Sequence, residues 1–109
     1  NLPEAVSWVT GAAMAVRAGL FRECGGFDPG FLHGYFEDVS FCVTVRKAGW
    51  ICQYEPRATF SHIVGQSGQT PGYSEVEKAR LFRENSRRFH RLYDDWIIPD
   101  DSGRVWVNY

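Results

Sequence analysis

Apolar and polar positions repeat with a helical period most clearly from Ser74 onward. Ala79, Leu81, Phe82, Phe89, Leu92 and Tyr93 fall on one side of a helical wheel, and Arg80, Arg83, Arg87 and Arg91 on the other. Ser74 followed by Glu77 has the form of a capping box, so the pattern predicts a helix from there to about Asp95. A second helical stretch runs from about Glu37 to Ala48 and stops at Gly49. The short stretch AGLFREC has helical character and ends at Gly25-Gly26. Before it, AVSWVT and GAAMAVR read as extended chain on both sides of Gly11, whose small neighbours suit a close approach of backbone or ligand. WICQYEP and RATFSHIV read as two further extended segments, GQSGQTPG as a loop, and WIIPDDSGRVWVNY as a terminal hairpin. FDPGFLHG is a loop by its Asp-Pro-Gly, yet it carries Phe27, Phe31 and Leu32 and leads to Tyr35 and Phe36, so it is expected to pack down. The sum is an α/β chain with a small mixed sheet, a short helix, a middle helix and a long C-terminal helix.

The middle helix poses a problem of its own. At about 100° per residue, Glu37, Ser40, Thr44 and Lys47 cluster on one side, and Val39, Phe41, Cys42, Val43, Val45 and Ala48 fill the other. Asp38 points near the centre of that apolar arc. A carboxylate among packed apolar side chains loses solvation, which is tolerated only with a partner or for a task. Two readings fit. Asp38 is the helix N-cap, accepting backbone N–H bonds, or it faces a pocket as a general base.

Composition narrows the class. The 109 residues are 44% apolar and 16% aromatic with a net charge of −1, which describes one small globular domain and gives no footprint for nucleic acid. The arginine stripe of the last helix is interrupted by Glu84 and bounded by Asp94 and Asp95, the pattern of a solvated face. Cys24, Cys42 and Cys52 are odd in number and lie in segments that read as buried, which argues against a disulfide framework and for a reducing, cytosolic compartment. Neither a spanning apolar run nor a signal peptide is visible. The opening residues run straight into an apolar stretch without a start signal, like a segment entered from the middle.

Few residues carry chemistry by pattern. His62 shares a strand face with Phe60 and Val64, just before the glycine-rich loop, and is either a functional group or a half-buried histidine satisfied by one backbone bond. His33 and His90 have weaker claims, and the cysteines and histidines lack zinc spacing. Dinucleotide, Walker-type and nucleophile-elbow motifs are missing, as is any Asp-x-Asp pair.

Taken in order, Trp8 before Thr10-Gly11-Ala12, the run Met14-Ala15-Val16-Arg17, Gly25-Gly26-Phe27-Asp28, the pair Glu37-Asp38 opening a helix, and Gly49-Trp50 closing it resemble the C-terminal part of family 2 glycosyltransferases, inverting enzymes of the GT-A fold. His62 and the helix carrying Asn85 and Phe89 continue the likeness, which runs from about Val6 to Trp96. The resemblance implies that Asp38 is the catalytic base and Glu37 its support. It implies that Trp8, Gly11 and Ala12 line the acceptor side, although Trp8 is equally well an ordinary core residue. It implies that His62 is a ligand of a divalent metal, Mg²⁺ or Mn²⁺, that neutralises the departing diphosphate. The partners would be a nucleotide-sugar donor and a glycan or other hydroxyl acceptor.

The chain departs from that family in lacking the N-terminal nucleotide-binding half with its Asp-x-Asp motif. Residues 1–109 are therefore expected to be one partial domain, inactive alone, from a protein that is cytoplasmic or peripheral to a membrane. Half a sheet leaves an open edge, so a homodimer through that edge is a further expectation. Ser40 stands where an acid or another small polar residue is common; its outward direction predicts little consequence. The competing reading is a non-catalytic carbohydrate-binding or assembly module that stacks sugars on Trp8, Phe31, Tyr35 and Phe36.

Overall fold

The computed structural model describes residues 2–63, 73–99 and 105–107. In chain order the elements are strand β1 (Glu4–Val6), helix α1 (Ala18–Glu23), helix α2 (Glu37–Lys47), strand β2 (Cys52–Tyr54), helix α3 (Glu75–Tyr93), and strands β3 (Ile97–Pro99) and β4 (Val105–Val107). Single 3₁₀ turns lie at Gly11–Ala13, Leu32–Gly34 and Asp94–Trp96. β1 pairs antiparallel with β2, Val6 opposite Cys52, and β3 pairs antiparallel with β4 as the expected terminal hairpin. The architecture is α/β.

The helix limits follow from local chemistry. Ser74 caps α3 with the reciprocal box: its hydroxyl accepts from the Glu77 amide at 3.1 Å, and the Glu77 carboxylate accepts from the Ser74 amide at 3.3 Å. α2 closes with Gly49 at φ 93°, whose amide donates to Arg46 O while Trp50 N donates to Val45 O. α1 closes in the same way on Gly25 at φ 82°, with Gly26 N donating to Phe21 O. Both ends are Schellman motifs, and each needs a residue without a Cβ in the left-handed position.

α2 is the centre of the molecule. On one side Val43 joins Phe31 of the loop and Phe89 of α3, with Phe36, Val39 and Tyr93 around them. On another, Phe41 and Val45 pack on Leu20 of α1, with Met14, Phe21 and Cys24 at the margin. The aromatic loop does pack down: Phe31 is 5% exposed, and Phe27 meets Phe21 and Phe41 edge to face.

Several sequence expectations change. Ser40 is 2% exposed rather than outward, because α3 covers that side of α2; its hydroxyl meets the Tyr93 hydroxyl at 2.7 Å. Thr44 and Lys47, also assigned to the wet side, contact Tyr93 as well. Ala48 is exposed. In α3 the covered stripe is Leu81, Asn85 and Phe89, narrower than the apolar arc, and Ala79, Phe82 and Leu92 stay largely open. Extended chain around Gly11 becomes a ladder strand only at Glu4–Val6, and residues 57–63 form no strand, having no neighbouring strand among the described residues to bond with. The glycine-rich loop Gly65–Gly72 lies outside the described residues.

Candidate functional site

Asp38 occupies the second position of α2. It is not the N-cap; that place belongs to Phe36, which stands at φ 73°, ψ −6° with no side-chain cap bond. A bulky aromatic residue in the left-handed region costs on the order of 1–3 kcal/mol and persists only when its surroundings over-determine it. Here they do: the Phe36 ring is held against Phe82 and Phe89, with centroids 5.2 and 5.7 Å away, and its carbonyl accepts the first helical bond from Ser40 N. The strained residue aims the next two, Glu37 and Asp38.

The face of α2 that carries Asp38 meets main chain. Arg46 Nη1 donates to Ser7 O at 3.3 Å, Val9 N donates to Cys42 Sγ at 3.5 Å, and Gly11 N donates to Asp38 Oδ2 at 2.9 Å. The spacing explains why one helix face can do this. Four helical residues rise about 6 Å, and two extended residues about 6.6 Å. Positions 38, 42 and 46 therefore keep step with 11, 9 and 7, in opposite chain directions. Asp38 is the last rung of this ladder, partly exposed, beside the exposed Thr10, Gly11 and Ala12. Its Oδ1 accepts from Val39 N at 2.8 Å. Each carboxylate oxygen has two lone pairs, so one amide on each leaves acceptor capacity for an incoming hydroxyl.

Glu37 is held differently. Its Oε2 is enclosed without a hydrogen-bond partner among the described residues, and loss of solvation pushes the carboxyl pKa up from 4.5. Its own amide opposes the shift and the Asp38 charge adds to it. A raised pKa in the folded state means stability that is fully present below the unfolded value and lost as pH rises through the folded one. Glu37→Gln is therefore expected to stabilise the protein at about pH 7.5 and to change little at about pH 4, read by urea unfolding at both.

The remaining candidates divide. Gly11 and Asp38 are brought together: a Cβ on Gly11 would lie 3.4 Å from the Asp38 Cβ and 3.8 Å from Oδ2, ordinary contact. Ala12 is exposed in the same turn, its amide donating to the Thr10 hydroxyl at 3.3 Å. Trp8, 44% exposed, is not a core residue; it lines a cavity of about 410 Å³ with Tyr54, Glu55 and Phe60. Asp38 is not among the residues lining that cavity. His62 is exposed, and no cluster of three His, Cys, Asp or Glu side chains fit for a metal occurs among the described residues. The sugar-stacking platform of Trp8, Phe31, Tyr35 and Phe36 is not assembled, since Phe31 is buried and Tyr35 and Phe36 meet Phe82, edge to face and tilted respectively.

Asn85, named in the sequence only as part of the likeness and given no role there, is buried. Its amide clips the aromatic loop to α3: Leu32 N donates to Oδ1, and Nδ2 donates to Leu32 O and Tyr35 O. An Asn within the apolar stripe at Leu81 and Phe89 was the available signal. A second brace is Arg88, which donates to Asp28 Oδ2 at 2.8 Å and lowers that carboxyl's pKa.

Comparison with known proteins finds partial sequence likeness to two enzymes. Over 67 residues, 61% of this chain and 22% of the relative, the chain is 39% identical to the N-acetylglucosaminyl-diphospho-decaprenol L-rhamnosyltransferase of Mycobacterium tuberculosis. Over 57 residues, 52% of this chain and 12% of the relative, it is 40% identical to the pre-mycofactocin glycosyltransferase of the same species. Both relatives are glycosyltransferases. The matches span about a fifth and an eighth of those proteins' lengths. No protein-family model and no solved structure matches the chain. Among the described residues, no helix is long and apolar enough to cross a membrane.

Proposed function

We propose that this chain is the acceptor-side part of a GT-A catalytic domain of family 2, in an inverting glycosyltransferase whose general base is Asp38. The observation that carries the reading is the Asp38 carboxylate held by the Gly11 amide at the open end of the ladder, in a chain with partial likeness to two glycosyltransferases. In the reaction, an acceptor hydroxyl attacks the anomeric carbon of a nucleotide-activated sugar as the bond from that carbon to the diphosphate oxygen breaks. The hydroxyl proton passes to Asp38. The Gly11 and Val39 amides fix the direction of the carboxylate, so that its remaining lone pairs are set before the acceptor arrives. Glu37 backs the helix start, and Trp8 offers an apolar ring face to sugar C–H groups.

The described residues do not by themselves build a metal site. His62 is exposed, and in this proposal it supplies a single ligand to a Mg²⁺ or Mn²⁺ site completed by the rest of the enzyme. In the longer natural protein, His62→Ala is expected to raise the Mn²⁺ concentration for half-maximal transfer by at least about tenfold. An unchanged metal titration removes His62 from the metal. The decisive test of the proposal is Asp38→Asn in that same protein, with transfer read by release of the nucleotide product.

A further inference from the structure

Cys42 and Cys52 take no part in the reaction proposed above, yet they are two thiols that line a common cavity. Cys42 sits in the middle of α2 and Cys52 opens β2. They are ten positions apart in sequence, joined by the tight Gly49 turn that folds β2 back along the helix. Both are nearly enclosed, at 2% and 8% exposure, and both are free thiols. Both line one cavity of about 180 Å³ whose walls include Met14, Leu20 and Val45, and which reaches the exposed Trp50 and Ile51. Cys24 is outside that cavity.

The charges around the pair favour a thiolate on one partner. The neighbouring Cys42 lowers the Cys52 pKa, and Cys52 together with burial raises that of Cys42; the Arg46 guanidinium adds to the lowering at Cys52, and burial opposes it. Cys42 is tied to Val9 by two bonds, its sulfur accepting from the Val9 amide at 3.5 Å and its thiol donating to the Val9 carbonyl at 3.8 Å.

We propose that Cys42 and Cys52 are a redox-active dithiol that closes to an intramolecular disulfide by exchange with a small disulfide such as oxidised glutathione. The Cys52 thiolate attacks one sulfur of the small disulfide, forming a mixed disulfide and releasing one glutathione thiolate, which takes up a proton. Cys42 then loses its proton and attacks the Cys52 sulfur, expelling the second glutathione as the S–S bond between α2 and β2 forms. The two cysteines give up two electrons and two protons, and the glutathione disulfide accepts them as two thiols. Because Cys42 lies beside Cys52, the mixed disulfide is short-lived.

The test uses the 109-residue chain with Cys24→Ser, which leaves the pair and its cavity untouched. After equilibration with oxidised glutathione, exchange is stopped by adding an alkylating agent in denaturant, so that every remaining free thiol is labelled, and the protein is digested with trypsin without reductant. The expected result is a fall in free thiols from two to zero, and one cross-linked species joining the peptide of Glu23–Arg46 to that of Ala48–Arg57, lighter by two hydrogens than the sum of the two. Its yield should follow the ratio of oxidised glutathione to the square of the reduced form. Two alkylatable thiols remaining at high oxidant, or stable glutathione adducts without a cross-link, overturn the proposal. Should Cys24→Ser not fold, fragmentation of the same cross-linked peptide from the unaltered chain distinguishes a Cys42 linkage from a Cys24 one. The outcome does not depend on glycosyl transfer.

Discussion

Under the proposed function, Asp38→Asn is expected to lower glycosyl transfer by about 10²–10⁴-fold in the longer protein, the range that a positioned general base contributes, while the protein stays folded. The asymmetry between rate and stability is what makes the experiment informative. The asparagine carbonyl keeps one of the two amide bonds that the carboxylate now accepts, from Gly11 N or Val39 N. The loss of the other costs about 1 kcal/mol, a few degrees of melting temperature in a domain of this size. The ladder rungs at Cys42 and Arg46 remain. A structural acid at this place would give the opposite pattern, a measurable loss of stability with transfer near the wild-type rate, and that result ends the assignment of Asp38 as base. Product release and thermal unfolding of the same sample read both quantities.

Asn85→Leu is expected to lower stability by about 2–4 kcal/mol, with the melting temperature falling by roughly 10 °C or more. Leucine keeps the branch at Cγ but adds volume and carries no polar atom, so the cost has a packing part and a larger polar part. The amide of Leu32 and the carbonyls of Leu32 and Tyr35 lose the side chain that now satisfies them, and each partly buried group left unpaired costs on the order of 1–3 kcal/mol. The loop that Asn85 holds ends at Phe36, whose left-handed backbone starts α2, so the Leu32 and Tyr35 region should also exchange its amide hydrogens faster than α1 does. Arg83→Ala, on the exposed side of α3, is the control and should stay within about 0.5 kcal/mol. Equal effects of the two substitutions would show that the clip is not what secures the loop.

Much of the secondary structure was readable in advance because its signals are local. The capping box at Ser74 and the glycines at 25 and 49 each act within a few residues, and the helices begin or end where those signals stand; the two apolar runs of the C-terminal segment pair as strands. The presence of an acid on the covered side of the middle helix was equally plain. What covers that side was not. A helical wheel assumes one apolar partner, whereas α2 is enclosed by α1, by α3 and by the main chain of Ser7–Gly11, so Ser40 and Arg46 are buried by partners distant in sequence. Phe36 as a left-handed cap and Asn85 as a loop clip likewise depend on contacts fifty or so residues apart.

By itself, then, the order of residues determined where helices begin and end, that one carboxylate lies on a packed face, and that the aromatic loop folds inward. Only the tertiary structure decided that this carboxylate is the end rung of a ladder between α2 and the main chain of Ser7–Gly11, that Ser40 meets Tyr93, and that two of three cysteines share a cavity. The physical reason is range: capping and turn preferences are satisfied by neighbours along the chain, while burial and charge at any one side chain are set by whichever segments fold against it.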